Sequence, residues 1–296
     1  MNSVADKMYG SSPVFSRALN AARMVAGTDV TVLITGEPGT GKEMMAHQVH
    51  ASSRRAGGPF ASISCAGLSE EELENELLAS SNGASIYLNE VADLNLEAQA
   101  KLLHFLESVE ARRTGFPDVR LLASTGRDLH ALQREGGFRE DLYYRLHVVP
   151  VSLPPLRERK DDIILLLKQF TSDLARRHGR KAPRYSVTAR NLIKQYRWPG
   201  NVRELRNFCE RMVILMAGAI VQPSDMPLEM RQESAVTPGR SLFVLPEGGL
   251  DLTALEGDMI RQAICMSGGN RSKAARLLGL TRDTLLYRIQ KHAIEV

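Results

Sequence analysis

Short β-branched apolar runs alternate with helically spaced segments through the first half of the chain: VTVLIT at 30–35, PFASISC at 59–65, SIYLNE at 85–90, VRLLAST at 119–125 and VVPVSL at 148–153. Runs of this length separated by helix-sized intervals predict an α/β fold, a parallel sheet with crossover helices. The proline-rich marks Leu153-Pro154-Pro155 and Trp198-Pro199-Gly200 punctuate the chain beyond these runs. From Asp161 to about Gly218 the strand runs stop; apolar residues at 163–167, then Phe170 and Leu174, predict a small helical subdomain. The stretch ESAVTPGRSLFVLPEGG at 233–249 has no period and reads as a linker, and a compact helical unit comes after it. The expected division is an α/β subdomain over 1–155, a helical lid over 156–232, a linker over 233–249 and an all-α unit over 250–296.

With 296 residues and 43% hydrophobic content, the chain is long enough to bury a sizeable core in two or three folding units. No apolar stretch approaches the roughly 20 residues that cross a bilayer, and the opening MNSVADKMYG lacks a signal-peptide layout. A cytoplasmic protein without membrane contact is expected. The first strand run begins at Val30, so no sensory domain is expected ahead of it, and the input signal would come from a partner, from expression level or from nucleotide. Cys65, Cys209 and Cys265 are far apart and form no CxxC pair, which argues against a disulfide framework or zinc site; they read as small core residues, and no metal ligands are assigned. The net charge of +4 is modest but uneven: Arg271, Lys273, Arg276, Arg282, Arg288 and Lys291 stand against the single acid Asp283.

The run GEPGTGK at 36–42 sits between an expected strand and an expected helix, the context in which a glycine-rich loop wraps phosphates. Gly36, Glu37, Gly39, Thr40, Gly41 and Lys42 are therefore candidate binding residues for ATP or ADP, the backbone amides turning inward and the lysine adding charge. An ordinary strand-to-helix turn is the competing reading; the coincidence of strand, loop, lysine and helix weighs against it. Glu43 stands where a Ser or Thr usually comes after the lysine, so the loop supplies no hydroxyl for magnesium.

With FREDLYYRL at 138–146, LPPLRER at 153–159 and WPGNVREL at 198–205, the loop GEPGTGKE resembles the central AAA+ domain of the bacterial sigma-54-dependent activators over roughly residues 9–230. The resemblance implies a ring-forming ATPase with nucleotide held between neighbouring subunits. In that family Glu follows the loop lysine as a rule, so Glu43 joins the cofactor set. Arg139 and Arg145 match arginines presented to the neighbour's nucleotide, where they would neutralise charge on the transferring phosphate; a solvated basic pair is the competing reading. Arg203 matches the lid arginine that senses nucleotide, with Asn201 as the expected helix cap and Trp198 and Pro199 as packing and turn residues.

The resemblance is incomplete where hydrolysis is concerned. Glu90 matches the water-aligning glutamate, but Asn89 occupies the place of the magnesium-side aspartate. Ser64 stands for an asparagine that pairs with the catalytic glutamate, and Gly126 for a sensing asparagine, although Thr125 remains. Only ASSNGA at 79–84 precedes the third strand, where the family inserts the GAFTGA loop that touches sigma-54. These departures imply weak support for magnesium and slow turnover, and they leave open whether the chain is an enzyme.

From Asn270 the chain reads NRSKAARLLGLTRDTLLYRIQKH, which resembles the Fis-type helix-turn-helix. Asn270 is expected to cap a helix carrying Ala274, Ala275, Leu277 and Leu278, Gly279 to turn, and Thr281 to open a second helix. With Leu280, Leu285 and Ile289 facing the core, Thr281, Arg282, Thr284, Tyr287, Arg288 and Lys291 are the candidate contacts to double-stranded DNA. A helix over about 252–266 is expected to pair two copies, which implies inverted-repeat sites; self-association in an AAA+ ring and contact with RNA polymerase are further expectations. The preferred reading is an ATP-binding, sequence-specific DNA-binding transcription regulator with weak hydrolysis and no sigma-54 remodelling. The alternative is an ATP-hydrolysing sigma-54-dependent activator. An unrelated clamp-loading or chaperone motor is disfavoured by the helix-turn-helix.

Overall fold

The structure is a computed structural model that describes residues 8–80, 82–111, 114–235, 251–292 and 294. They fall into two compact units, divided at Val236, and each is described by itself. In the first, β1 (Val32–Thr35), β2 (Phe60–Ser64), β3 (Ser85–Asn89), β4 (Arg120–Thr125) and β5 (Val149–Ser152) form a parallel sheet in the order β2-β3-β4-β1-β5. Each strand lies within an apolar run expected to form one.

The central strands are buried along nearly their whole length because helices cover both faces. Successive side chains go to opposite sides. Val32 and Ile34 pack with Phe15 and Met45 from α1 (Pro13–Ala26) and α2 (Lys42–Ala51). Leu33 and Leu88 pack with Leu73 and Leu102 from α3 (Glu70–Leu78) and α4 (Leu96–Glu110). Two short helices, α5 (Leu129–Arg134) and α6 (Glu140–Leu146), complete the α4 side. The start of α3 is fixed by a capping box in which Ser69 and Glu72 satisfy each other's backbone amides.

The lid consists of α7 (Lys160–Arg177), α8 (Val187–Gln195), α9 (Asn201–Leu215) and α10 (Leu228–Ala235) around Trp198, whose indole donates to the Ile193 carbonyl at 2.9 Å. It also holds a parallel pair, β6 (Arg184–Tyr185) and β7 (Ile220–Val221), within and just beyond a region expected to contain no strands; two residues are too few to show a period. Residues 233–235, expected in the linker, form the end of α10, while 236–249 lie outside the described residues.

The second unit is a three-helix cluster of α11 (Leu252–Met266), α12 (Arg271–Leu277) and α13 (Arg282–Lys291), packed on Ile260, Ala263, Ala274, Ala275, Leu285 and Ile289. Asp251, Asn270 and Thr281 cap the helices in turn, and Gly279 makes the turn with φ 65°, a region costly for residues with a Cβ. Cys65 and Cys209 are core residues as expected, whereas Cys265 is exposed on α11.

Candidate functional site

The carboxyl ends of β1, β3 and β4 converge, the place where open α/β sheets form ligand crevices. The loop after β1 returns to α2, which places Lys42 at the first helical position. Its ammonium donates to the Gly36 carbonyl at 2.8 Å and pairs with Glu90 Oε1 at 2.7 Å. Glu90 leaves β3 with φ 59°, and its other oxygen accepts from the Gly126 amide at 2.6 Å. A cavity of about 1320 Å³ opens between these strand ends and the lid. Of the expected cofactor and catalytic residues, Gly39, Thr40, Gly41, Lys42, Glu43, Asn89, Glu90 and Arg203 line it. Gly36 and Glu37 instead line a smaller cleft on the other side of the loop.

Glu37 ties the loop to the lid. Its carboxylate takes a bidentate pair from Arg157 at 2.6 and 2.7 Å and a further bond from Asn201 Nδ2 at 3.1 Å, and these bonds hold it down to about 2. Asn201 is not the cap of α9; Gly200 holds that position. The Asn201 side chain is fully buried, accepts from the Leu156 amide at 2.7 Å and also donates to the Pro38 carbonyl at 3.1 Å, with its backbone at φ 52°. The Gly39 carbonyl accepts from the Val202 and Arg203 amides at 2.9 and 3.3 Å, so the first turn of α9 sits directly on the loop. A Cβ at Gly39 would lie 2.3 Å from the Gly200 carbonyl oxygen, a clash of backbone on backbone.

Two residues of this region were not singled out from the sequence. Arg159 is buried at the cavity wall with its guanidinium 4.5 Å from the centre of the Phe15 ring, and burial lowers it to about 10. Asp162 is buried and accepts from the Ser11 and Ser12 amides at 2.6 and 2.9 Å, joining the N-terminal segment to α7. The repeated charges of LRERKDD do signal an ion-rich segment, but not which of its charges turn inward.

Asn89 ends β3 on the cavity wall beside two hydroxyls. Its Oδ1 lies 3.2 Å from both the Tyr87 and Ser124 hydroxyls, which are 2.7 Å from each other; with one proton on each hydroxyl, two of these three contacts can be hydrogen bonds at once. The Thr40 hydroxyl donates to the Glu37 carbonyl at 2.8 Å. Among the described residues no group of three or more His, Cys, Asp or Glu is arranged to hold a metal ion.

Arg139 and Arg145 stand apart from this cavity. Arg139, which caps α6 in position but not by its side chain, pairs with Asp141 at 2.7 Å; Arg145 pairs with Glu110 at 2.5 Å and Glu107 at 3.5 Å. In the second unit Arg282, Tyr287 and Lys291 are exposed on α13, and Thr281 caps it by accepting from the Thr284 amide at 3.2 Å. Arg288, also expected among the DNA contacts, has a partner within its own unit. It is ion-paired to Glu256 of α11, whose other oxygen meets His292 Nε2 at 2.9 Å.

The sheet order, phosphate loop and docked lid define an AAA+ nucleotide-site architecture, succeeded in the chain by a helix-turn-helix. Residues 8–152 match the sigma-54 interaction domain, 157–241 the AAA+ ATPase lid domain and 252–292 the Fis family of bacterial regulatory proteins. The chain is 37% identical over 307 residues to the transcriptional regulatory protein ZraR of Escherichia coli, covering 96% of this chain and 68% of ZraR. The regulatory protein AtoC of the same species is 36% identical over 312 residues, covering 96% and 67%. Among solved structures, NtrX from Brucella abortus in complex with ATP is similar at a TM-score of 0.70 and 32% identity, covering 97% of this chain and 69% of that one. The chain belongs to the family of sigma-54-type transcription regulators that carry an AAA+ domain and a Fis-type helix-turn-helix.

Proposed function

We propose that this chain is an ATP- and ADP-binding, sequence-specific DNA-binding transcription regulator in which nucleotide sets oligomeric state or DNA affinity, with slow hydrolysis and no remodelling of sigma-54 polymerase. The observation that carries this reading is the amide at Asn89 beside a Glu90 whose two oxygens are held by Lys42 and Gly126. Removing a carboxylate from the strand end takes away charge that a hydrolysing site uses. The link between α3 and β3, residues 79–84, supports the second half of the proposal, since coupling to a partner needs an element that touches it differently in each nucleotide state. DNA is the partner of α13, with paired copies on inverted half-sites, and ring contacts would bring Arg139 and Arg145 to a neighbour's nucleotide. A cytoplasmic site of action accords with this function; among the described residues no helix is long and apolar enough to cross a membrane.

A second reading is the ATP-hydrolysing sigma-54-dependent activator, and family membership favours it, as does the retention of Glu90, Arg139, Arg145 and Arg203. In vitro transcription from a promoter carrying the chain's own site decides between them, run with sigma-54 polymerase and with the housekeeping enzyme. The proposal expects no ATP-dependent open complexes with sigma-54 and phosphate release below about one per second. Open complexes that require ATP would establish the activator.

A further inference from the structure

Resting on the reading of this cavity as a nucleotide site, we propose that Arg159 holds the base of the bound nucleotide, its guanidinium donating to a ring-nitrogen acceptor of the purine while the phosphates lie on the loop around Lys42. Arg159 comes just before α7 and is only 3% exposed. Its side chain nevertheless makes no hydrogen bond or ion pair among the described residues, and its Nε is buried without a partner. A buried guanidinium carries a charge and five N–H donors, so leaving it unmatched is costly unless something outside the chain completes it. The neighbouring carboxylate does not. Asp162 Oδ1 accepts from the Ser11 and Ser12 amides at 2.6 and 2.9 Å, and Oδ2 accepts from the Ser12 hydroxyl at 2.8 Å. Burial pushes the Arg159 guanidinium down to about 10, which leaves it cationic at neutral pH.

Arg159 lines the same cavity as the loop residues Gly39 to Lys42. Its guanidinium lies over the Phe15 ring, 4.5 Å from the ring centre, a contact that limits how the planar fork can turn. The segment before α1 holds that ring and the Asp162 carboxylate together. A Cβ at Gly10 would lie 2.3 Å from Phe15 Cδ1 and 2.9 Å from Asp162 Oδ2, so only glycine lets the backbone come this close. Met8, Tyr9, Leu166 and Phe170 also line the cavity. An apolar and aromatic wall with a donor-only group suits a flat heterocycle that presents acceptors, as a purine does at N3 and N7, better than it suits a hydrated triphosphate.

The test is a calorimetric titration of the intact chain, wild type and Arg159→Met, with ATP and with tripolyphosphate, which has no base. Methionine keeps an unbranched apolar side chain against Phe15 and removes the donors. The variant should bind ATP about tenfold more weakly, a loss at least about fivefold larger than its loss for tripolyphosphate. A smaller difference overturns the proposal, because a structural or phosphate-binding role for Arg159 acts on both ligands alike. Photolabelling of the wild-type chain with 8-azido-ATP decides alone if the variant does not fold or tripolyphosphate binds too weakly to follow. Label that ATP suppresses should fall within residues 8–15 or 157–170, and its absence from both segments overturns the proposal. A wild-type chain that binds no ATP overturns the nucleotide reading as well, whereas ATP binding that is lost in Lys42→Ala and indifferent to Arg159 leaves that reading intact.

Discussion

Replacing Asn201 by Ala should release the lid from the phosphate loop, and the size of the effect is set by the contacts of its side chain. The fully buried amide accepts from the Leu156 N–H at 2.7 Å, and its loss leaves that donor unsatisfied at a cost of about 1–3 kcal/mol. The bonds to the Glu37 carboxylate and the Pro38 carbonyl, both 3.1 Å, contribute about 0.5–1.5 kcal/mol each, with the Glu37 bond discounted because that carboxylate is partly exposed. Asn is among the few residues that tolerate φ 52°, so Ala adds about 1 kcal/mol of backbone strain. Together, with the Glu37 bond discounted, these come to about 2.5–6 kcal/mol, a large part of the about 5–15 kcal/mol that holds a typical domain. Trp198 is the only tryptophan and lies in the lid core, so urea unfolding followed by its fluorescence reports this subdomain even if the whole chain does not unfold in one step. Asn201→Asp is the informative companion. It keeps the acceptor for Leu156 but sets a second carboxylate beside Glu37, so its deficit should shrink as the pH falls and the pair protonates. A change below about 1 kcal/mol for Asn201→Ala would show that the loop and lid are held by something else.

Lys42→Ala should weaken fluorescent-nucleotide binding sharply, and equal affinity of variant and wild type would remove the phosphate loop from the site. Glu37 is depressed from its ordinary value near 4.5 to about 2 by Arg157 and Asn201, so its contribution to stability is present above about pH 4.5 and is lost as pH falls toward 2. The Trp198 unfolding midpoint should decline over that window in wild type and much less in Glu37→Gln; parallel declines would refute the assignment. Arg282→Ala should relax sequence choice at a cost of about 1–3 kcal/mol, whereas Lys291→Ala should weaken all sequences alike; identical binding profiles across a site library would mean the two roles are wrongly divided.

The strands were legible because β3 and β4 are buried on both faces, so each carries a short apolar stretch bounded by helix-sized intervals. Lys42 and Glu90 were legible as members of motifs, and their contact is a product of β1 and β3 flanking β4 in the sheet, an order that neither motif discloses. What the residues alone did not disclose lies in long-range polar contacts. Asn201 looks like a helix cap because Asn commonly caps, and nothing local announces that a left-handed backbone turns its amide toward Glu37, 164 positions away. The ion pair of Arg288 was not legible either, because only the packing of α11 against α13 brings Glu256 to it. Gly126 was legible only as a departure from the family, since a residue without a side chain says nothing about its amide, which reaches Glu90.

The pairing of Arg288 with Glu256 bears on how many ions leave when the helix meets DNA. Each phosphate neutralised by a free cationic side chain lowers the log–log slope of affinity against salt by about 0.9. The basic residues between 271 and 291 are Arg271, Lys273, Arg276, Arg282, Arg288 and Lys291, so a count from composition sets a ceiling near −5.4 per protomer, from about 0.9 taken six times. A guanidinium that stays paired to a carboxylate of its own domain neutralises no phosphate and so displaces no cation from the DNA, which lowers that ceiling to about −4.5. Affinity for DNA in this unit should therefore be less sensitive to ionic strength than its basic composition suggests, leaving a larger share of recognition to contacts that salt does not erode.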